Sequence, residues 1–525
     1  MKTQRDGRTR VAPIDLDSSE MDKHLGVADE PIQEAVDQRR ESLTETDKTF
    51  WDRIWPVIAC GAGLFSDGYL NGVIGSVGTM LAQLYPTQYA NSPAQSNVAA
   101  ITFVGQVVGQ LAFGWTSDHW SRKWSLFIST IIVIVFAILG TGSYGGGSVS
   151  GLLTALTVYR FFLGIGIGGE YPAGSVACAE STGELKSGTR NRWFVLFTNV
   201  QIDFGFVVAA IVPMIVVLIT GENHLRTAWR VCLGLGIIPP LSLLWLRFKL
   251  KEPESFKRGT MANTKTPWSL VIKFYWFRLI IVSTIWFIYD FSSYSFGLLS
   301  SQLLTNLLGD NSKLWVNFGW NTLLTFFYMP GCVFGSYLSD WVGPRNALGY
   351  TLLLQAAVGF VMVGTYSFLA RPEYVGGFIV VYGIFIALGE CGPGDNIGLV
   401  ASKTSATAIR GQYYGIAAAC GKIGAFVGTK TLILMYNTYY DAGHTVKAGQ
   451  YPFLISSLLC VVSALLALFF LPHIGQDTID EEDAKFRAYL EMNGYDVSQM
   501  GLKPSGSAEH TVEKGKMGVD EPVSG

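Results

Sequence analysis

Gly114-Trp115-Thr116-Ser117-Asp118-His119-Trp120-Ser121-Arg122-Lys123 returns in altered form as Ser336-Tyr337-Leu338-Ser339-Asp340-Trp341-Val342-Gly343-Pro344-Arg345. Each copy is a short turn carrying a carboxylate and a basic side chain between two long apolar stretches. The two aspartates stand 222 residues apart. A charged turn that recurs at such a distance implies a chain built twice over, from two halves of like design.

A helix that crosses hydrocarbon needs about 20 mostly apolar residues. Twelve stretches qualify: 53–79, 96–117, 123–143, 152–180, 192–219, 228–248, 277–305, 314–339, 347–369, 375–402, 411–436 and 451–472. The expectation is an all-α membrane protein of 12 transmembrane helices in two pseudo-symmetric six-helix bundles. The domains are then a tail at 1–50, a bundle at 51–248, a central loop at 249–276, a bundle at 277–472 and a tail at 473–525.

Composition agrees. The 525 residues are 49% hydrophobic and only 15% charged, against about 25% charged in a soluble chain. The net charge of −2 is a cancellation. Residues 1–50 hold 8 basic and 12 acidic side chains, residues 473–525 hold 5 and 11, and the body holds 25 and 17. This excludes a soluble multidomain enzyme, a disordered hub and a disulfide-rich secreted domain. The seven cysteines all fall in apolar stretches, without metal-ligand spacing. Neither a metal nor a cofactor is expected. No Walker motif or nucleophile elbow appears, so no enzyme is expected, and no nucleic-acid partner.

Sixteen basic residues sit at the even-numbered junctions, including Arg122, Arg190, Arg247, Arg345, Lys403 and Arg410. The odd junctions hold Arg226, Lys313, Arg371 and Lys447, with Arg230 at a helix edge. Positive charge marks the cytoplasmic side, so both tails are expected there. Their acidic charge reads as solvated. Sites such as Ser42-Leu43-Thr44-Glu45 suit a regulatory kinase or a ubiquitin ligase.

Ionisable residues inside spans cost at least ~2.5–3.5 kcal/mol each and mark function by default. The 222-residue offset sends Asp67 to 289, beside Asp290; Gln201 to 423, beside Lys422; and Glu170 to 392, between Glu390 and Asp395. The Gly- and Pro-broken runs 164–172 and 389–396 also correspond. In transporters such paired interruptions surround the substrate site near the midplane. Trp286, Asp290 and Tyr294, spaced by four, share one helix face. Lys422, among Ala417, Ala418, Ala419 and Gly421, needs an anion, which is either Asp290 or a substrate. Asp67 and Glu170 suggest a proton path, or else cap broken helices. Asp203, Glu390 and Asp395 are weaker candidates, Arg160 is expected to bind a carboxylate instead of substrate, and Lys430 snorkels outward or serves as a gate.

The repeated turn, with Arg160 and Gly164 and with Pro253-Glu254-Ser255 and Arg258, resembles the marks of the major facilitator superfamily. Gly168-Gly169-Glu170-Tyr171-Pro172, the Trp286/Asp290/Tyr294 face and Gly421-Lys422-Ile423-Gly424 resemble its phosphate:proton symporter branch. Glu390 to Asn396, followed by Arg410-Gly411-Gln412-Tyr413-Tyr414-Gly415, is most similar to the fungal glycerophosphodiester permeases. The resemblance covers about 51–472. It departs from phosphate symporters at Glu170, where they carry Asp, and at Pro393-Gly394, where they carry Pro-Asn. Gly394 is expected to open room in span 10. The resemblance implies a plasma-membrane symporter that imports glycerophosphoinositol or glycerophosphocholine with protons by alternating access. Lys422, Tyr171, Gln201, Trp286, Asp290 and Tyr294 would bind substrate, and Asp67, Glu170 and Asp290 would couple protons. Asp118, Arg122, Asp340, Arg345 and Arg160 would govern conformation. An inorganic phosphate:proton symporter and a nutrient transceptor with signalling tails are the alternatives.

Overall fold

The computed structural model describes residues 50–501 apart from 91, 184, 263 and 309–312. The tail sites at Ser42 and Thr44 lie outside the described residues. Among the described residues every regular element is a helix. Eleven segments among the described residues are long and apolar enough to cross a membrane, from Arg53–Leu84 to Thr445–Phe470. The expected eighth span is instead two helices, Leu314–Phe326 and Tyr328–Trp341, meeting at Phe327. Pro330 accounts for the break, because it offers no N–H to the carbonyl of Phe326 and its ring crowds that oxygen. Phe327 keeps helical angles (φ −62°, ψ −18°), so the path continues through the break.

Two spans are interrupted in matching places. Span 4, Val149–Thr182, holds a π-helical turn at Tyr171–Ser175, and span 10, Pro372–Lys403, holds one at Glu390–Gly394. Pro172 and Pro393 supply the cause, since each removes one rung of the i→i−4 ladder. Such turns cluster at functional sites.

Helices in lipid approach closely where residues are small. Gly105 and Gly164 bring spans 2 and 4 backbone to backbone: a Cβ on either would strike the carbonyl of Phe161 or Thr102. Gly424 and Gly428 do the same for span 11 against Phe287 and Phe291 of span 7. Thr79 Oγ1 and Ser301 Oγ lie 3.2 Å apart and are separated by 222 residues in sequence. A residue meets its own repeat mate only on the two-fold axis, so this contact locates the axis between the halves.

The repeated turns cap helices across that axis. Asp118 accepts from the backbone N–H groups of Gly411 (2.8 Å) and Gln412 (2.7 Å), at the start of Arg410–Asp441. A carboxylate there satisfies orphan donors and complements the helix dipole. Arg122 binds Asp118 (2.5 Å), Glu180 (3.0 Å) and the carbonyl of Thr407 (3.2 Å), and Arg410 reaches the same Glu180 at 3.0 Å. In the second half, Asp340 accepts from the N–H of Arg192 (3.2 Å) in the helix Arg190–Phe197. Arg345 instead binds the carbonyl of Leu468.

The C-terminal tail departs from expectation. Residues 478–492 form a helix docked on this end of the bundle, not a solvated acidic segment. Phe486 and Leu490 are fully buried among Met261, Tyr275, Ile409 and Tyr413. Asp483 accepts from the N–H and hydroxyl of Thr407, both at 2.6 Å, and Glu482 pairs with Arg278 at 2.8 Å. Burial pushes the Glu482 carboxyl above its ordinary value while Arg278 pulls it back. The net charge of the tail had concealed an apolar stripe at helical spacing. Arg122, Arg247, Lys403 and Arg410, read as junction charges, are also buried.

Phe486→Ala should cost about 3 kcal/mol of docking. Hydrogen exchange over 478–492 should then rise about a hundredfold, with exchange in the core of span 7 unchanged. Exchange equal to that of the parent chain would rule out the docked helix.

Candidate functional site

A cavity of about 50 Å³ lies between the halves, lined by Tyr171, Asp203, Trp286, Tyr289, Asp290, Tyr294, Glu390, Asp395, Tyr414 and Lys422 among others. The π turns of spans 4 and 10 carry Tyr171 and Glu390 to its wall. Gly421 leaves space for the indole of Trp286, which a Cβ there would strike. Trp286 meets Tyr414 edge-on at 5.3 Å.

At the centre, Lys422 Nζ donates to Asp290 Oδ2 (3.1 Å) and to Tyr294 OH (2.6 Å). The ammonium also lies 4.0 Å from the centre of the Tyr294 ring and 5.0 Å from that of Tyr171. Tyr171 OH donates in turn to Asp67, and so does Asn71 Nδ2. Gln106 Nε2 extends the chain to Asn71 Oδ1 at 3.1 Å. Asp67, Asp290 and Lys422 are each about 1% exposed. One connected network thus joins span 1 and span 4 to spans 7 and 11.

A second cluster borders the same cavity. Asn199 Nδ2 lies 3.2 Å from Asp203 Oδ2, 3.1 Å from Glu390 Oε2 and 3.0 Å from Asp395 Oδ1. Tyr289 OH donates to the other oxygen of Glu390 at 2.8 Å. An amide nitrogen has two hydrogens for three carboxylates. Carboxylates crowded this way favour proton sharing.

Of the residues expected at the site, Lys422, Tyr171, Trp286, Asp290, Tyr294 and Asp67 come together. Three others lie elsewhere. Gln201 donates to the carbonyl of Leu196 at 3.2 Å and does not line the cavity. Glu170 forms a two-pronged pair with Arg247 (2.5 and 2.6 Å) and accepts from Ser129 at 3.1 Å. Arg160 binds the carbonyls of Val98 (2.8 Å) and Leu70 (3.4 Å). The room expected at Gly394 is taken by Glu390 and the Tyr289 hydroxyl.

The sequence does not single out Asn71, Gln106, Asn199 or Tyr289, and it marks Arg247 only as a junction charge. The signal for two of them is simple: Asn71 and Asn199 each stand four residues, one helical turn, from an intramembrane aspartate.

Residues 55–256 and 251–486 match the family described as sugar (and other) transporter. The major glycerophosphoinositol permease of Candida albicans is 46% identical over 494 residues, covering 93% of this chain and 91% of its own. The glycerophosphocholine permease of that organism is 46% identical over 470 residues, covering 88% and 87%. Among solved structures, the proton:xylose symporter XylE of E. coli superposes with a TM-score of 0.67 at 17% identity, over 83% of this chain and 98% of that one.

Removing one partner of a buried ion pair strands the other, at a cost of about 3–5 kcal/mol. Lys422→Met and Asp290→Asn should each lower the melting temperature of the purified protein, and the double variant should recover most of the loss. A double variant less stable than either single one would show that the two side chains are not paired.

Proposed function

The chain belongs to the sugar (and other) transporter family of the major facilitator superfamily, and we propose that it is a proton-coupled importer of glycerophosphodiesters at the plasma membrane. The likeness to the Candida permeases, over nearly their whole length, supports the substrate class. The observation that carries the mechanism is the Lys422 ammonium, held by Asp290 and Tyr294 in the cavity between the halves.

A phosphodiester brings one negative charge into a buried site. Transfer is affordable only if that charge is met there. Among the described residues that line the cavity Lys422 is the one cation, and Asp290 already occupies it. A proton on Asp290 releases the ammonium, which then takes the phosphodiester. Loss of that proton restores the carboxylate, which reclaims Lys422 and expels the anion. The lysine is paired with the carboxylate before the exchange and with the phosphodiester after it, and one proton moves with each substrate. Tyr171, Trp286 and Tyr294 supply hydrogen bonds and a wall. Asp67 is one hydroxyl away and joins the proton path. Glu170, locked to Arg247, holds spans 4 and 6 together rather than cycling.

The positive-inside rule puts the basic end in the cytoplasm. The Asp118 and Asp340 caps then latch the cytoplasmic side. Alternating access follows from exchanging these caps for contacts at the other end.

Uptake of labelled glycerophosphoinositol, glycerophosphocholine, glycerol-3-phosphate and phosphate should be compared at pH 5 and pH 7.5 in cells lacking endogenous carriers. The expected result is diester uptake, faster at the lower pH and abolished by Lys422→Ala. Phosphate uptake without diester uptake would overturn this reading in favour of a phosphate symporter. Unchanged uptake in Lys422→Ala and Asp290→Asn would overturn the site.

A further inference from the structure

The central cavity of about 50 Å³ has space for a few waters,. At the end of the bundle opposite the basic loops lies a cavity of about 590 Å³. That volume is in the range of small-molecule sites, ~300–1,000 Å³. In this conformation it has room for a phosphodiester and the central cavity does not.

Its chemistry is equally specific. Lys430 is the one charged side chain among the described residues that line it. Its ammonium is held by neutral groups, Ser96 Oγ at 2.7 Å and Asn97 Oδ1 at 3.1 Å. Thr429 lines the same cavity, and its fully buried hydroxyl has no hydrogen-bond partner. Thr79, Ser301 and Thr305 add hydroxyls on the facing wall. A single unneutralised cation surrounded by hydroxyls suits a monoanion with a polyhydroxy head.

This cavity leads inward. It shares Ala99 and Leu298 with a middle cavity, which shares Phe206 and Tyr294 with the central one. Phe103 and Phe206 pack edge-on against Tyr294, at 5.0 and 6.1 Å. Eight residues of helix separate Lys430 from Lys422, a rise of about 12 Å. The aromatic ring of Tyr294, whose hydroxyl binds Lys422, therefore stands on the path between two lysines of one helix.

We infer that the outer cavity is a capture subsite for the phosphodiester anion, with Lys430 as its charge, occupied before the solute passes Tyr294 to Lys422. This rests on the proposed substrate class. Lys430 also joins span 11 to span 2, so a purely structural clamp has to be separated from binding.

Lys430→Gln keeps an amide for Ser96 and Asn97 but removes the charge, and Lys430→Arg keeps the charge. For glycerophosphoinositol uptake, Lys430→Gln should raise KM about fivefold, the loss of a half-exposed charged hydrogen bond, with the maximal rate per transporter little changed. Lys430→Arg should restore KM to within twofold. A lower maximal rate at unchanged KM would assign Lys430 to the clamp and overturn the inference. So would a KM within twofold in Lys430→Gln. Labelled glycerophosphoinositol should still bind purified Lys422→Ala protein, and that binding should disappear when Lys430→Gln is added. Equal binding by the single and double variants would overturn the subsite. Absence of uptake by the parent chain would instead sink the substrate class itself, which separates the two failures.

Discussion

A charge inside hydrocarbon must be met by an opposite charge or by a fan of dipoles, and nearly every buried charge here follows one course or the other. Glu170 and Arg247 form a two-pronged pair, while Glu180 is shared between Arg122 and Arg410. Arg160 relies on the carbonyls of Val98 and Leu70, and Lys403 on those of Gly475 and Gln476 with the amide oxygen of Asn191. What differs is which parts the solutions connect. Glu170–Arg247 lies within one half and stiffens it. Glu180–Arg410 joins the halves and so stabilises one arrangement of them. Lys422–Asp290 lies within the second half but faces Tyr171 of the first, so it is where a charge exchange can be felt by both.

The cross-axis caps extend this logic to the backbone. Each half offers an aspartate to a helix start that belongs to the other half, Asp118 to Arg410–Asp441 and Asp340 to Arg190–Phe197. The orphan N–H groups of those helices are satisfied only while the halves are together at this end. The C-terminal helix adds Asp483 on Thr407 and Glu482 on Arg278, next to the first cap. Closure at the basic end therefore depends on three segments far apart in sequence: the 118–122 turn, the start of span 11 and the tail.

Much of this was legible in the residues. The recurring turn and the 222-residue offset identified the two halves, the paired interruptions in spans 4 and 10, and the meeting of Asp67, Asp290 and Lys422. The offset worked because a repeat carries equivalent positions to one level of the membrane. It failed for Gln201, whose amide turns back to Leu196, because an offset specifies height and not the direction in which a side chain points. Arg247 was miscounted because a basic residue near a span end looks the same whether it faces lipid headgroups or a carboxylate within the bundle. The docked tail was missed because summed charge says nothing of which face carries Phe486 and Leu490. The Asn199 cluster was invisible as a cluster, since its three carboxylates come from spans 5 and 10 and only packing brings them to one amide.

The contact between Thr79 and Ser301 has a consequence of its own. Both are the same position of the repeated unit, met at the line about which one half is turned into the other. In a two-fold homodimer that line is where a side chain faces its own copy. The molecule is therefore framed like a two-fold pair of units, joined by a central loop whose Met261 and Tyr275 are buried against the C-terminal helix. The duplicated hydroxyls still touch, while the second half carries Lys422 to the central cavity and both halves carry carboxylates there, so asymmetry of chemistry has been laid onto symmetry of frame. A solute on the axis meets different chemistry on each side within a scaffold that treats both sides alike.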